Sequence, residues 1–519
     1  MSLPTGLAAS GFGVPGLTMS LLIGTIVMLA ALAAVRISAH SGLPTMVLYL
    51  GIGLALGDGG LGIRFDDAEL TQVLGYSALV LILAEGGLTT SWHGIRRSVA
   101  PAAVLSTVGV LVSTGVVAVF ARLLGQPWSV ALLLGAVLAS TDAAAVFSVL
   151  RSVPLPRRLS GMLEAESGFN DAPVVILTIA LAMQLTGAEQ QLWWQLGLLA
   201  LFELLVGGAI GLGVGWAGGQ LVRRLARSAS GLFAIGVVSV TVFAYAVASL
   251  AHASGFLAAY LAALALGNMG LPHRAAVHGF AEALGTISQI GLFVLLGLLA
   301  SPARLPGQIV PAVVLGLVLL LVARPLSVLV SLTPFRIGVR DQLFLSWAGL
   351  RGAVPVVLAT VPLTVGADGT LWIFDFVFVM VLLLTLVQAP SLPWVARRLR
   401  VTESVHAVSV DVETTPLEQI GADVVMATVG PDSRLHGVEV FELRLPKGAN
   451  VTLLVRGTES LVPQQGTLLR HGDRMLIVTP STQRAAVEKR LIMVSRHGRL
   501  AGWTDRMPSR VGRPPAKPR

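Results

Sequence analysis

Between Glu164 and Leu181 the chain reads EAESGFNDAPVVILTIAL, a run as apolar as a membrane helix that still carries Glu166, Ser167, Asn170 and Asp171. A charged side chain at the centre of a bilayer costs about 3 kcal/mol or more, so each needs a partner, a water-filled cavity or a function. Helical spacing sorts these residues. Glu166 and Asn170 are four apart and share a face, while Ser167 and Asp171 share another about 100° away. A carboxylate withdrawn from water favours its neutral form, so Asp171 suits an exchange of a proton for a hard monovalent cation at one oxygen site. Proton and cation compete there, and with alternating access that competition suffices for antiport. Asn170 cannot titrate, but its carbonyl oxygen can serve a cation or brace its neighbours. Glu166, turned the other way, either meets Arg351 in a buried ion pair or binds the ion directly.

Other intramembrane polar residues extend the set. Ser140, Thr141 and Asp142 interrupt one apolar run, and Arg351 sits in another among Gly349, Gly352 and Pro355, a cluster that breaks helices. Thr141, Asp142 and Ser167 supply further oxygens. Asp142 either binds the cation or caps the positive end of a broken helix, where a carboxylate is stabilised. Arg351 is placed to neutralise an opposing carbonyl end as well as Glu166. Arg324, beside Pro325, is either a counter-charge or a packing residue. Glu85, next to Gly86 and Gly87, reads as structural. Glu203, Glu282 and Asp375 are less central. The histidines form no metal cluster, no catalytic constellation is evident, and the set needs no cofactor beyond the ions it handles.

The elements that position these residues must be membrane helices. The 519 residues are 54% hydrophobic and 12% charged, against roughly 25% charged in an ordinary soluble domain, and mean hydropathy is +0.81. About thirteen apolar runs long enough to span follow one another from Leu17 to about Leu399, and at membrane depth that pattern fits only helices. No basic region precedes the first run, which argues against a cleaved signal peptide. With no cysteine in the sequence, disulfides, thiolate metal sites and thiol catalysis are excluded. The connections divide into two alternating sets. One, with the exit to the C-terminal part, holds Arg36, Arg96, Arg97, Arg151, Arg157, Arg158, Arg223, Arg224, Arg227, Arg274, Arg336, Arg340, Arg397, Arg398 and Arg400; the other holds only Arg64, Arg122 and Arg304. The positive-inside rule then puts the N-terminus outside and the C-terminal part in the cytoplasm.

LALGDGGL (Leu54–Leu61) and LALGNMGL (Leu264–Leu271) are near copies, 210 residues apart (264 − 54). The same shift aligns Leu74-Gly75 with Leu284-Gly285, Gly87 with Gly297 and Ala143 with Ala353. The copies lie an odd number of spans apart and so cross the membrane in opposite directions, the inverted-repeat design of secondary transporters. Such repeats hold their ion near mid-bilayer, between broken helices.

ESGFNDAPVV, STDAAAV, AEGGL, GFLAAYLAALALGN and GLRGAVPVVLA, in that combination, resemble the signatures of cation/proton antiporters of the NhaP and NHE branch over about residues 17–400. The resemblance implies an all-α polytopic membrane protein with an NhaA-like antiporter fold, an inverted repeat and two broken helices. It implies that Asp171 carries ion and proton, that Asn170 replaces a second aspartate of electrogenic relatives, and that Thr141, Asp142 and Ser167 are cation-site partners. Glu166 with Arg351 becomes a stabilising buried pair, and Arg324 stands where electrogenic relatives have lysine. An electroneutral, homodimeric one-for-one exchanger with an elevator-like six-helix core is further implied. Ala143 departs from the pattern, since many relatives carry proline there.

After residue 400 the composition turns polar. Residues 401–416 read as linker, and VTESVHAVSVDVETTPLEQIGADVV as a whole has that character. VEVFELRL, ANVTLLVR and RMLIVT then read as short strands among glycines, and TPSTQRAAVEKRL as a capped helix, so a small α+β domain is expected over 417–493. It resembles TrkA-C, the C-terminal lobe of potassium-conductance regulators, without a dinucleotide-binding fingerprint. That implies dimerisation and regulation by a small cytoplasmic ligand such as cyclic di-AMP, or dimerisation alone. Residues 494–519 read as a disordered basic, Pro-rich tail suited to anionic lipid and not to nucleic acid. The combination points to a plasma-membrane exchanger of protons for a monovalent cation, potassium favoured and sodium possible. A ligand-gated cation channel is the alternative, disfavoured because no TVGYG-like filter is present.

Overall fold

The structure, a computed structural model, describes residues 14–63, 65, 67–142, 155–187, 193–225, 230–367, 369–402, 422–430, 433–457 and 459–498. The chain divides into two compact units, Met1–Thr402 and Glu403–Arg519. The first is built of helices, as a chain without water to satisfy its backbone must be. Among the described residues nine helices are long and apolar enough to cross a membrane, one further span is a pair bent by 52°, and three apolar helices are shorter. Each expected run from 17 to 396 holds one of these.

In chain order they are α1 (Val14–Ser41), α2 (Thr45–Leu56), α3 (Ala68–Thr89), α4 (Val99–Leu123), α5 (Trp128–Ala139), α6 (Arg157–Leu185), α7 (Trp193–Leu225), α8 (Ser230–Leu250), α9 (Gly255–Asn268), α10 (Arg274–Leu299), α11 (Leu305–Phe335), the bent pair α12 (Val339–Ala348) and α13 (Ala353–Thr364), and α14 (Leu371–Leu399). The large apolar side chains left exposed on these helices, such as Leu21, Leu29 and Leu32 of α1 and Phe202 and Trp216 of α7, suit contact with lipid rather than water.

Shifting α2 by 210 residues starts it at Gly255, the first residue of α9. The same shift superposes α1 on α8, α3 on α10, α4 on α11, α5 on α12 and α6 on α14, leaving α7 between the halves. The packing obeys the repeat. A Cβ on Gly87 of α3 would lie 2.6 Å from the Cβ of Ala263 and 2.7 Å from the carbonyl of Tyr260, both on α9. A Cβ on Gly297 of α10 would run into the carbonyl of Leu50 and lie 3.0 Å from the Cα of Gly53, both on α2. Leu50 and Gly53 are Tyr260 and Ala263 shifted by 210, so the two contacts exchange under the repeat. Small residues let backbones approach this closely. Both α4 and α11 contain a π-helical segment, Leu105–Gly109 and Leu319–Ala323, and Ser327 donates across to the Gly109 carbonyl at 2.8 Å.

The second unit carries an antiparallel sheet in the order β1-β4-β2-β3, with β1 (Ala422–Thr428), β2 (Asn450–Arg456), β3 (Glu459–Leu461) and β4 (Arg474–Pro480). Helix α15 (Arg484–His497) packs Val487, Leu491 and Val494 into a core with Val425, Leu454, Met475 and Ile477. Asp473 fastens the strand ends. It accepts from Arg456 Nε and Nη2, both at 2.8 Å, and from the Arg470 backbone at 2.7 Å. Burial pushes its carboxyl upward, but those donors outweigh it and hold the group below the usual carboxylate range.

Four expectations change here. VEVFELRL is not a strand: Val440–Leu443 is a 3₁₀ turn closed by a capping box between Glu439 and Glu442, and Phe441 is exposed, so alternation there does not track burial. The last residues of the polar stretch read as linker open β1 instead. Helix α15 begins without a side-chain cap at Gln483. It also runs to His497, past the expected start of the tail at 494. Ala143, Arg64, Arg151, Arg227, most of the linker and the tail from 499 lie outside the described residues.

Candidate functional site

Helix α6 brings the opening residues to the core. Pro173 inside it cannot donate to the carbonyl of Phe169, which loosens the helix beside Asn170 and Asp171. Glu166, Ser167, Asn170 and Asp171 are all buried. Asp171 Oδ1 accepts from the Ser140 hydroxyl at 3.2 Å. Among the described residues it pairs with no cationic side chain. Asn170 Nδ2 donates to Thr141 Oγ1 at 2.9 Å and, at 3.4 Å, to the Ala139 carbonyl, while its Oδ1 accepts no hydrogen bond among the described residues.

The partners of α6 come from the helix breaks. Helix α5 stops at Ala139, and Ser140 is extended, with φ −64° and ψ 141°. The continuation of this first break, 143–154, lies outside the described residues. The second break separates α12 from α13. Each break is closed by a charge from the other repeat. Arg351 Nη1 donates to the Ala139 carbonyl at 2.9 Å and also to that of Ser140, placing a cation at the negative end of α5. Asp142 Oδ2 accepts from the Ala353 N–H at 2.7 Å, at the positive start of α13. The two breaks also pair directly, Asp142 N–H to the Leu350 carbonyl at 3.0 Å. Gly352 is needed here for space, because a Cβ would run into the Asp142 carboxylate.

The expected Glu166–Arg351 pair is not formed. Glu166 binds Arg324 of α11 in a bidentate bridge, Nη1–Oε1 at 2.6 Å and Nη2–Oε2 at 2.8 Å, with both side chains buried. Arg351 is taken up by the carbonyl end of α5, and Arg324 lies against Gly349, where a Cβ would sit 2.5 Å from its Nε. Arg324 is therefore a counter-charge, and Asp142 caps a broken helix. Sequence reasoning also missed that Asp375 is bound by Arg304, Nε–Oδ2 at 2.7 Å and Nη2–Oδ1 at 3.2 Å. The signal available was that Arg304 is one of the few arginines of the basic-poor connections and Asp375 the one carboxylate of α14. Glu85 is structural in its setting, its carboxylate filling the space Gly285 leaves.

Thr141, Ser167, Asn170 and Asp171 thus surround the junction of α6 with the first break, Asp142 and Arg351 hold the two breaks together, and Glu166 with Arg324 fastens α6 to α11 from the other side. Among the described residues no group of three or more His, Asp or Glu side chains converges as a metal site. What the junction offers is the Asp171 carboxylate with neutral oxygens around it and the Asp142 carboxylate nearby, tied to the Ala353 N–H, a donor set suited to a singly charged cation or a proton.

Residues 17–398 match the family described as sodium/hydrogen exchanger, transmembrane, and residues 424–492 match the TrkA-C domain. The K(+)/H(+) antiporter NhaP of Alkalimonas amylolytica is 36% identical over 470 residues, 89% of this chain and 81% of that protein. The K(+)/H(+) antiporter NhaP2 of Shewanella baltica is 34% identical over 464 residues, 88% of this chain and 80% of that protein. Among solved structures, the sodium proton antiporter MjNhaP1 from Methanocaldococcus jannaschii superposes with a TM-score of 0.63 at 22% identity, over 74% of this chain and 99% of that one. That superposition matches the fold, and the sequence match over the spans is broader than the site alone: the chain belongs to the sodium/hydrogen exchanger family.

Proposed function

We propose that the protein is a secondary antiporter that exchanges a monovalent cation for a proton across the plasma membrane, with Asp171 as the carrier of both. The observation that carries this reading is a buried carboxylate at a helix break that accepts a hydrogen bond from Ser140 and faces no cationic side chain among the described residues. Held away from water, it must cross the membrane with either a proton or a cation bound. The cation's remaining ligands come from Ser140, Thr141, Ser167 and the unpaired Oδ1 of Asn170. Asn170 does not titrate, so one carboxylate serves one ion at a time and the exchange is electroneutral. Asp142 and Arg351 keep the breaks together through the cycle rather than binding the ion.

Potassium is favoured over sodium, because the relatives matched over both units are named K(+)/H(+) antiporters. The domains are residues 1–400 for exchange, 401–416 as linker and 417–497 for regulation, followed by the basic tail. The N-terminus is outside and the TrkA-C unit cytoplasmic, where it regulates exchange through a small ligand such as cyclic di-AMP, and the working form is a homodimer. The arginine asymmetry of the connections supports that orientation.

Proteoliposomes with a trapped pH dye test the reading. Addition of potassium, and to a lesser degree sodium, collapses an imposed proton gradient, and Asp171→Asn abolishes the response while the protein still folds. Full exchange by that variant overturns the assignment of Asp171. A wild-type current reversing at the potassium potential, without proton movement, replaces the antiporter with a channel.

A further inference from the structure

Glu164 is the one carboxylate of α6 that the site described above does not use. It is half-buried, and among the described residues it makes neither an ion pair nor a hydrogen bond. The other carboxylates at the site are spoken for: Glu166 by Arg324, Asp142 by the start of α13, Asp171 by Ser140. A desolvated carboxylate without a counter-charge is retained in a membrane protein only at a cost.

Its direction is set by the helix. Residues 164, 167, 168 and 171 follow the 3, 4 and 7 spacing of one helix face, so Glu164 lies two turns before Asp171, about 10 Å along the axis. Ser167 and Gly168 occupy the turn between. Against this face stands Tyr260 of α9. A Cβ on Gly168 would enter the Tyr260 ring, and the ring also meets Phe169 edge-on at 5.8 Å. Glu164 and Thr90 are the polar groups that face the tyrosine, and Thr90 gives its own hydroxyl to the Gly86 carbonyl at 2.7 Å. The Tyr260 hydroxyl is buried beside the Thr90 side chain and makes no hydrogen bond of good geometry among the described residues. Along one stripe of α6 the order is therefore the Glu164 carboxylate, the Ser167 hydroxyl, Gly168 with the Tyr260 ring over it, and the carrier carboxylate Asp171.

We infer that Glu164 is a second cation-binding carboxylate of the transport path, occupied before Asp171 by ions arriving from the Arg157 end of α6, with the Tyr260 ring packed over Gly168 in the turn between the two residues. A hydrated monovalent cation standing between them offers the Tyr260 hydroxyl a better-aligned partner than Thr90. This rests on the antiport reading above and adds to it a loading site that governs apparent affinity, whereas Asp171 governs turnover.

The test is the cation dependence of exchange by the full-length protein in membrane vesicles, with potassium as the probe and sodium in parallel. Glu164→Gln is expected to raise the half-saturating potassium concentration about five- to tenfold while the maximal rate stays within about twofold, and Glu164→Asp is expected to restore the wild-type value. If the Gln variant does not reach the membrane, Glu164→Ala is read the same way. An unchanged half-saturation, or a fall in maximal rate at unchanged half-saturation, overturns the assignment. Wild-type protein without exchange overturns the antiport reading itself, and an active wild type with an inactive Asp171→Asn leaves that reading in place whatever Glu164 does.

Discussion

Glu166 and Asp171 stand five residues apart on α6 and meet opposite fates. The first is matched by both arms of a guanidinium, Arg324 at 2.6 and 2.8 Å; the second has a serine hydroxyl at 3.2 Å. Removing one partner of a buried pair leaves an uncompensated charge, on the order of 3–5 kcal/mol, whereas replacing both by apolar groups costs far less. Glu166→Leu and Arg324→Met are each expected to lower the thermal unfolding midpoint of the purified protein strongly, and the double variant to recover most of the loss. Additive losses would show that the bridge does not couple the two residues. Asp171→Asn, by contrast, removes a charge that lacks a cationic partner among the described residues, so it is expected to hold or raise the midpoint while ending transport. The sequence narrowed both carboxylates to these roles by placing them on two faces of the helix about 100° apart. It did not choose between Arg324 and Arg351, since both are arginines deep in distant spans.

At the level of elements, the two breaks work as one object. Helix α5 presents carbonyls that Arg351 covers, α13 presents an N–H that Asp142 covers, and the backbones pair between Asp142 and Leu350. Gly352 permits the approach. Gly352→Ala is expected to cut the exchange rate at least about tenfold in proteoliposomes and to cost about 1–3 kcal/mol of stability, the usual penalty of overpacking; wild-type rates in that variant would mean the breaks need not touch. The Gly349, Gly352 and Pro355 cluster made the second break legible because those residues act through local backbone chemistry. The VEVFELRL strand was misread for a related reason: alternation is a local pattern, but a strand forms only where a neighbouring strand accepts it, and the Glu439–Glu442 capping box offers a competing local bond.

Across the whole molecule, the repeat and the division into two units have separate consequences. The spans form one compact unit ending at Thr402 and the sheet domain another beginning at Glu403, each with its own apolar core. A chain truncated after Thr402 is therefore expected to insert and to exchange cation for proton in vesicles at a rate within a few-fold of the full chain, while losing any response to cytoplasmic ligands. Complete loss of exchange would show that the second unit is needed for the first to work. The repeat was visible in the sequence from Leu54 and Leu264 onward. The exchange of the Gly87 and Gly297 contacts between α9 and α2 turns that register into packing.

The sequence by itself determined the helical membrane architecture, the register of the repeat, the faces of α6 and the place of the second break. Each of these follows from properties of neighbouring residues: hydropathy over a span, a helical period, or a proline and glycines in one turn. Only the tertiary structure decided which arginine meets Glu166, that Asp142 and Arg351 close each other's helices, that Arg304 binds Asp375, and that Tyr260 packs over Gly168 of α6. Those are contacts between residues far apart in the chain, and a charge selects its partner by distance and desolvation in the folded core, which no local pattern of residue types encodes.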